Sequence, residues 1–289
     1  MNEILGKYGY TPDTEAIDRS LTQIQNNLGY YESREILAEC MGLMDLTSLN
    51  SSDTDAKIIS LTEKVNNIKS CYPEYPLPAA ICVYPNFAKR VRENLTRHNV
   101  KIAVVAGVFP NSQSFLEVKK LECEMAVESG ADEVDIVLPL HLFLAGEYKK
   151  AAEEIRALKE TVKERKLKVI LETGVLASPS NIAAASFLAM EAGADFIKTS
   201  TGKLEPAATP MAAIIMCEAI KSYYIQCGRK VGFKAAGGMT SPKDALCYHS
   251  IVFTILGKEW LTPDYFRLGT SRLANAILGE LERKTISYY

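Results

Sequence analysis

Eight short apolar runs, each separated from the next by a stretch of helical character, constrain this chain more than any other feature. They read as strands at 42–49, 79–84, 101–106, 133–138, 167–173, 196–200, 230–235 and 266–269. Short continuous apolar runs suit strands buried on both faces of a parallel sheet. The clearest helical segments are 146–165 and 210–227. In the first, Tyr148, Ala152, Ile155 and Leu158 form one face, with Lys and Glu opposite. Eight strands alternating with helices over about 250 residues is the pattern of a (β/α)8 barrel. An open doubly wound sheet is the competitor, but no G-x-G-x-x-G follows the first strand. The expected organisation is an α/β barrel over residues 37–289, ending in a C-terminal tail, with a helical extension over 1–36 before it.

Within that extension, Thr11-Pro12 predicts an N-cap followed by proline at the first helical position. Ile17, Leu21, Ile24 and Leu28 mark one helical face, which should cover the barrel or meet another subunit, so a homodimer is open. The prolines at 73, 76 and 78 predict an extended connection into the second strand.

Composition narrows the function classes. The formal net charge is -2 with no basic block, which argues against nucleic acid as a partner. An anionic substrate would therefore need a local cluster of donors. No apolar run approaches the roughly 20 residues of a membrane span, and no apolar signal region opens the chain, so a cytoplasmic protein without membrane partners is expected. The seven cysteines form no C-x-x-C pair and read as reduced core thiols. His98, His141 and His249 share no ligand spacing, so no metal site is expected.

In a barrel of this kind, chemistry sits at the C-terminal ends of the strands. Lys198 closes the sixth run and Lys234 lies near the end of the seventh. Alternation puts Phe196, Lys198 and Ser200 on one face and Gly232 with Lys234 on another. If both faces point inward, two lysines meet. At roughly 5 Å and a dielectric of about 20 they repel by about 3 kcal/mol, about 2 pK units, so one amine should be largely neutral. A neutral amine can attack a carbonyl and form an imine. Lys168 opens its run, which predicts a place at the opposite, structural end, paired with Glu133. Asp135 and Asp45 are carboxylates in apolar runs and need cationic partners; Asp135 facing inward could pair with Lys234.

Three loops could hold a phosphate: Thr201-Gly202-Lys203, Gly237-Gly238 and Gly269-Thr270-Ser271, the last leading into a helix. Thr199, in the same block as Lys198, joins the substrate-binding candidates.

Five segments carry a family resemblance: Asp-Leu-Thr-Ser-Leu-Asn at 45–50, Ala-Ile-Cys-Val-Tyr-Pro at 80–85, Ala-Asp-Glu-Val-Asp-Ile-Val at 131–137, Asp-Phe-Ile-Lys-Thr-Ser-Thr-Gly-Lys at 195–203, and Gly-Phe-Lys-Ala-Ala-Gly-Gly at 232–238. In these the chain resembles the deoxyribose-phosphate aldolases, Schiff-base aldolases of barrel fold. The resemblance implies Lys198 as the imine-forming lysine, Lys234 as its pKa-lowering neighbour, Asp135 as the acid/base carboxylate acting through water, and Asp45 as support for the relay. It implies Thr47, Asn50 and Cys82 near the sugar, and Tyr289 of the terminal Tyr288-Tyr289 pair as a proton donor at C2. It further implies reversible cleavage of 2-deoxy-D-ribose 5-phosphate to D-glyceraldehyde 3-phosphate and acetaldehyde, with no cofactor. The chain departs from the family pattern at Arg272, where a second serine is usual, and around Phe109.

A related Schiff-base enzyme, transaldolase-like, shares the lysine and phosphate loops but differs in its acceptor pocket; release of acetaldehyde rather than dihydroxyacetone phosphate separates the two. A phosphosugar-binding barrel without catalysis would be marked by loss of Lys198, Lys234 or Asp135, and all three are present.

Overall fold

A computed structural model of the chain describes residues 1–289, the side chains of Asn2, Tyr30 and Tyr31 excepted. Eight parallel strands close into a barrel in sequence order: β1 (Met44–Thr47), β2 (Ala80–Val83), β3 (Lys101–Val105), β4 (Glu133–Val137), β5 (Lys166–Ile170), β6 (Phe196–Lys198), β7 (Gly232–Ala236) and β8 (Phe266–Thr270), which pairs back to β1. Every apolar run holds a strand, with shifted ends. β6 stops at Lys198, two residues short, because the hydroxyls of Thr199 and Ser200 take the Ala236 carbonyl. β5 starts at Lys166, so Lys168 sits mid-strand rather than at its opening.

Helices return the chain between strands. α4 (Asp55–Cys71) follows β1, α5 (Ala88–Asn94) follows β2, and α6 (Leu116–Glu128) follows β3. After β4 come α7 (Leu140–Leu144) and α8 (Tyr148–Val162), and after β5 come α9 (Thr173–Leu176) and α10 (Pro179–Glu191). α11 (Pro210–Cys227), α12 (Pro242–Leu256) and α13 (Leu273–Glu282) follow β6, β7 and β8. In α8 the buried face runs through Ala151, Ile155, Leu158 and Val162, so Ala151 rather than Ala152 belongs to the core.

Before the barrel lie α1 (Asn2–Tyr8), α2 (Thr14–Tyr31) and α3 (Arg34–Gly42). Asp13, not Thr11, is the N-cap of α2, its carboxylate accepting from the amides of Glu15 and Ala16. A carboxylate there both satisfies free amides and meets the positive end of the helix dipole. Ile17 and Ile24 are buried, and the helix packs on α11 and α12, so its apolar face covers the barrel's outer layer.

The strands are buried on both faces. Outward side chains such as Leu46, Ile136, Ile197 and Phe233 join the helices in the main core. Inside, on the β2–β3 side, Ala80, Cys82, Ala103 and Val105 form a small separate apolar cluster with Leu49. The interior also buries Asp45, Glu133, Asp135, Lys168, Lys198, Lys234 and Arg267. Buried charges persist only when paired, so these must satisfy one another. The cysteines are free thiols, with Cys40, Cys82, Cys123, Cys217 and Cys247 buried. No helix among the described residues is long and apolar enough to cross a membrane.

Candidate active site

Asp135 is the centre of the buried cluster. Its Oδ2 accepts from Lys198 Nζ at 2.9 Å and from Lys234 Nζ at 2.8 Å, and its Oδ1 accepts from Lys168 Nζ at 2.8 Å. Strand register explains the arrangement. Lys198 and Lys234 are direct partners on β6 and β7, while Lys168 lies beside Asp135, one pleat below the level of Lys198. Lys234 Nζ also lies 2.5 Å from Asp45 Oδ2, off the direction of a hydrogen bond. Beneath them, Arg267 bonds Asp45 Oδ1 at 2.6 Å and Glu133 Oε1 at 2.7 Å, and Lys168 reaches Glu133 at 2.6 Å. Gly269 gives Lys234 its path: a Cβ at that position would stand 2.9 Å from Lys234 Cε.

The electrostatics single out one amine. Burial alone would raise Asp135, but Lys168, Lys198 and Lys234 overcome it and hold the carboxyl well below its usual range. Asp45 and Glu133 are likewise held down against burial, the first mainly by Lys234 and Arg267, the second by Lys168 and Arg267. Burial opposes the charge on Lys234 and Lys168 too, yet their flanking carboxylates keep both raised. Lys198 alone is lowered: burial is the largest cause, Asp135 opposes it, and Lys234 adds to it. Three ionised carboxylates balance three cations, and Arg267, Lys168 and Lys234 have the better claim. Lys198, paired with Asp135 only, is the amine that gives up its proton most readily. Repulsion from Lys234, the cause expected from sequence, is the smaller part of the shift.

A cavity of about 300 Å³ opens at the strand ends, with Lys198 and Lys234 in its wall. Thr47, Asn50, Gly202, Lys203, Gly237, Gly238, Gly269 and Ser271 line it, as does Arg272. Lys203 donates its Nζ to the Leu49 carbonyl, tying the β6 loop to the β1 loop. Thr270 Oγ1 accepts from the amides of Arg272 and Leu273 and caps α13. The Arg272 guanidinium has no protein partner among the described residues and is available to an anion. The Gly-containing loops after β6, β7 and β8 and the Arg272 guanidinium make this a site for a small anion beside an amine of lowered pKa.

Three expected residues lie elsewhere. Thr199 is outside the cavity wall; its hydroxyl accepts from the Ala236 amide at 3.0 Å and bridges β6 to β7. Cys82 sits in the apolar interior cluster, its thiol pushed up by burial. Tyr289 lines an adjoining groove with Thr47, Asn50 and Ser271, and its buried hydroxyl has no partner. Asn275 clamps the tail there, accepting from the Tyr289 amide and donating to its carbonyl, both at 2.9 Å. Tyr288 is turned away, its hydroxyl on the Lys64 carbonyl at 2.7 Å.

Sequence reasoning passed over Arg267 and gave Lys168 only a structural place. The signal for both was present, since each is a charge inside an apolar strand and needs a buried partner.

Residues 40–247 match the family described as DeoC/LacD family aldolase. The human deoxyribose-phosphate aldolase is 38% identical over 258 residues, covering 86% of this chain and 80% of the human one. A Caenorhabditis elegans relative is 37% identical over 268 residues, covering 92% of this chain and 88% of its own. A crystal structure of a Toxoplasma gondii protein, 20% identical, shares the fold with a TM-score of 0.76 over 88% of this chain and 95% of that one. A buried lysine of lowered pKa at the top of a parallel barrel and these relationships agree: the chain belongs to the DeoC/LacD family of aldolases.

Proposed function

We propose that the protein reversibly cleaves 2-deoxy-D-ribose 5-phosphate to D-glyceraldehyde 3-phosphate and acetaldehyde through an imine on Lys198. The observation that carries the reading is Lys198 in the cavity wall, 2.9 Å from Asp135 and, of the three lysines around that carboxylate, the one whose pKa burial lowers. The Nζ of Lys198 adds to C1 of the open-chain sugar aldehyde, and loss of water gives a protonated imine. The C3 hydroxyl gives up its proton and the C2–C3 bond breaks, its electron pair moving into the imine. D-Glyceraldehyde 3-phosphate leaves, and the enamine takes a proton at C2. Water then hydrolyses the new imine, releasing acetaldehyde and the free amine. Asp135 exchanges these protons through water, Lys234 holds its charge, Asp45 supports the relay through Lys234, and Tyr289 assists at C2. The protonated imine is itself the electron sink, so the chemistry calls for no cofactor. The loops around Gly202, Lys203, Gly237 and Gly238, with Ser271, take the phosphate; Thr47 and Asn50 face the sugar.

The same reading sets the reaction in deoxyribonucleotide catabolism in the cytoplasm. It takes a homodimer as the assembly, for which the exposed Phe115, Val118, Leu121 and Met125 along α6 offer an apolar face. The central test is borohydride reduction in the presence of acetaldehyde or the sugar phosphate, followed by peptide mass mapping. A stable adduct on Lys198 is expected. An adduct on Lys234 or Lys203 overturns the assignment of roles, and no adduct removes the imine.

A further inference from the structure

Glu172 is a buried carboxylate that no ion pair of the interior cluster reaches, among the described residues. It lies just beyond the end of β5 with φ 55° and ψ 62°, a left-handed conformation that residues with a Cβ rarely adopt. Its side chain crosses to the loop after β6. There the carboxylate accepts from the Thr201 amide, at 3.2 Å to Oε1 and 3.4 Å to Oε2, and from the Thr201 hydroxyl. The hydroxyl oxygen in turn accepts from the Lys203 amide at 3.1 Å. The threonine hydroxyl thus donates to Glu172 and turns its lone pairs to Lys203. The amides on either side of Gly202 are thus taken, while that of Gly202 has no protein partner among the described residues and stands in the cavity wall. Two residues on, Gly174 packs beneath the same loop: a Cβ there would lie 2.4 Å from the Pro206 carbonyl oxygen. The 172–174 turn is therefore the mould on which the anion-facing loop is shaped.

We propose that Glu172 is a positioning residue for phosphate recognition, acting through Thr201 to hold the Gly202 amide and the Lys203 side chain in place without touching the ligand. The inference rests on the proposed function in taking the cavity's anion to be the phosphate of the sugar.

Two variants separate this role from a structural one. E172G suits the left-handed backbone but removes the carboxylate, and E172Q keeps an oxygen that accepts from Thr201. The readouts are KM and kcat for 2-deoxyribose 5-phosphate and for unphosphorylated 2-deoxyribose, affinity for inorganic phosphate, and hydrogen exchange over residues 199–206. E172G should raise KM for the ester and weaken inorganic phosphate by about tenfold, the loss of a charge-assisted bond. KM for 2-deoxyribose and kcat should stay within about threefold. Exchange should quicken over 201–206, and E172Q should fall between wild type and E172G. Equal effects on both sugars overturn the proposal, as does unchanged phosphate affinity with unchanged exchange, or a wild type that binds no phosphate. A wild type that leaves the ester uncut sinks the proposed function instead, and the phosphate and exchange comparisons then still decide the part of Glu172. If E172G does not fold, E172Q carries the comparison.

Discussion

Lys168 donates its Nζ to Oδ1 of Asp135 at 2.8 Å, the oxygen opposite the one that receives Lys198 and Lys234. This contact makes Lys168 a determinant of the charge on Lys198. Without Lys168, the carboxylates of Asp45, Glu133 and Asp135 face only Lys198, Lys234 and Arg267, and balance requires Lys198 to keep its proton. K168M should therefore lower kcat/KM at neutral pH by about tenfold to a hundredfold, the effect of 1 to 2 pK units. The limb of the pH profile should move to higher pH, so that activity partly returns in alkali. A uniform loss with an unmoved limb would mean that Lys168 only supports the fold.

Stability should carry the same signature. Asp45, Glu133 and Asp135 are held low, so the unfolded chain binds more protons as pH falls. Their contribution is full above about pH 4, the unfolded carboxylate range, and is lost as pH drops toward the folded values. Lys168 and Lys234 are held high, so theirs is full below about pH 10 and is lost above it. Lys198 is lowered, so the folded protein binds fewer protons there and its burial opposes folding at low pH. Thermal melts should show D135N destabilised by about 3 kcal/mol, with K198M at least as stable as wild type at pH 7. A destabilised K198M would contradict a neutral Lys198.

The fold was legible because alternation of apolar runs and helices leaves few topologies, and strand ends matter little to that argument. Lys198, Lys234, Asp135 and Asp45 were legible for a related reason: a charge within an apolar strand has few places to go. What escaped depended on level within the barrel. β5 begins at Lys166, so Lys168 stands against Asp135 rather than at the far end. Arg267 is separated from Asp45 by most of the chain, and only closure of β8 on β1 joins them. A lowered pKa for Lys198 was expected from a pair of lysines, whereas burial is its larger cause and the charges that surround it lie on five other strands. Glu172 left no mark in sequence, since nothing about its type or spacing foretells a left-handed backbone.

Arg272 is the residue that most distinguishes the anion cavity from the serine pattern expected there. Its guanidinium lines the cavity with no protein partner among the described residues, beside the capped start of α13. R272S should raise KM for the phosphate ester by about fivefold, an exposed charge contact of about 1 kcal/mol. The change should shrink as salt is added, because such a contact is screened. KM for unphosphorylated 2-deoxyribose should not move. Measuring both sugars at two ionic strengths decides it, and a salt-independent change would remove Arg272 from phosphate recognition.

The tail offers the last separation, between forming the imine and moving its protons. Asn275 grips the backbone of Tyr289, and Tyr288 anchors to Lys64 and stacks edge-on to Tyr72 at 5.7 Å, so the Tyr289 phenol is held in the groove beside Thr47. Its hydroxyl, buried without a partner, is kept in the protonated form by burial. A protonated phenol near the site can give a proton to C2 of the enamine but plays no part in the attack of Lys198. Deleting Tyr288 and Tyr289 should slow exchange of the acetaldehyde methyl protons with deuterated water by about tenfold to a hundredfold, while borohydride trapping on Lys198 proceeds as in wild type. N275A, which frees the tail but leaves the phenol, should give a smaller loss in the same direction. Exchange that is unchanged on deletion would assign the C2 proton to water or to Asp135, and loss of trapping would show that the tail supports the lysine instead.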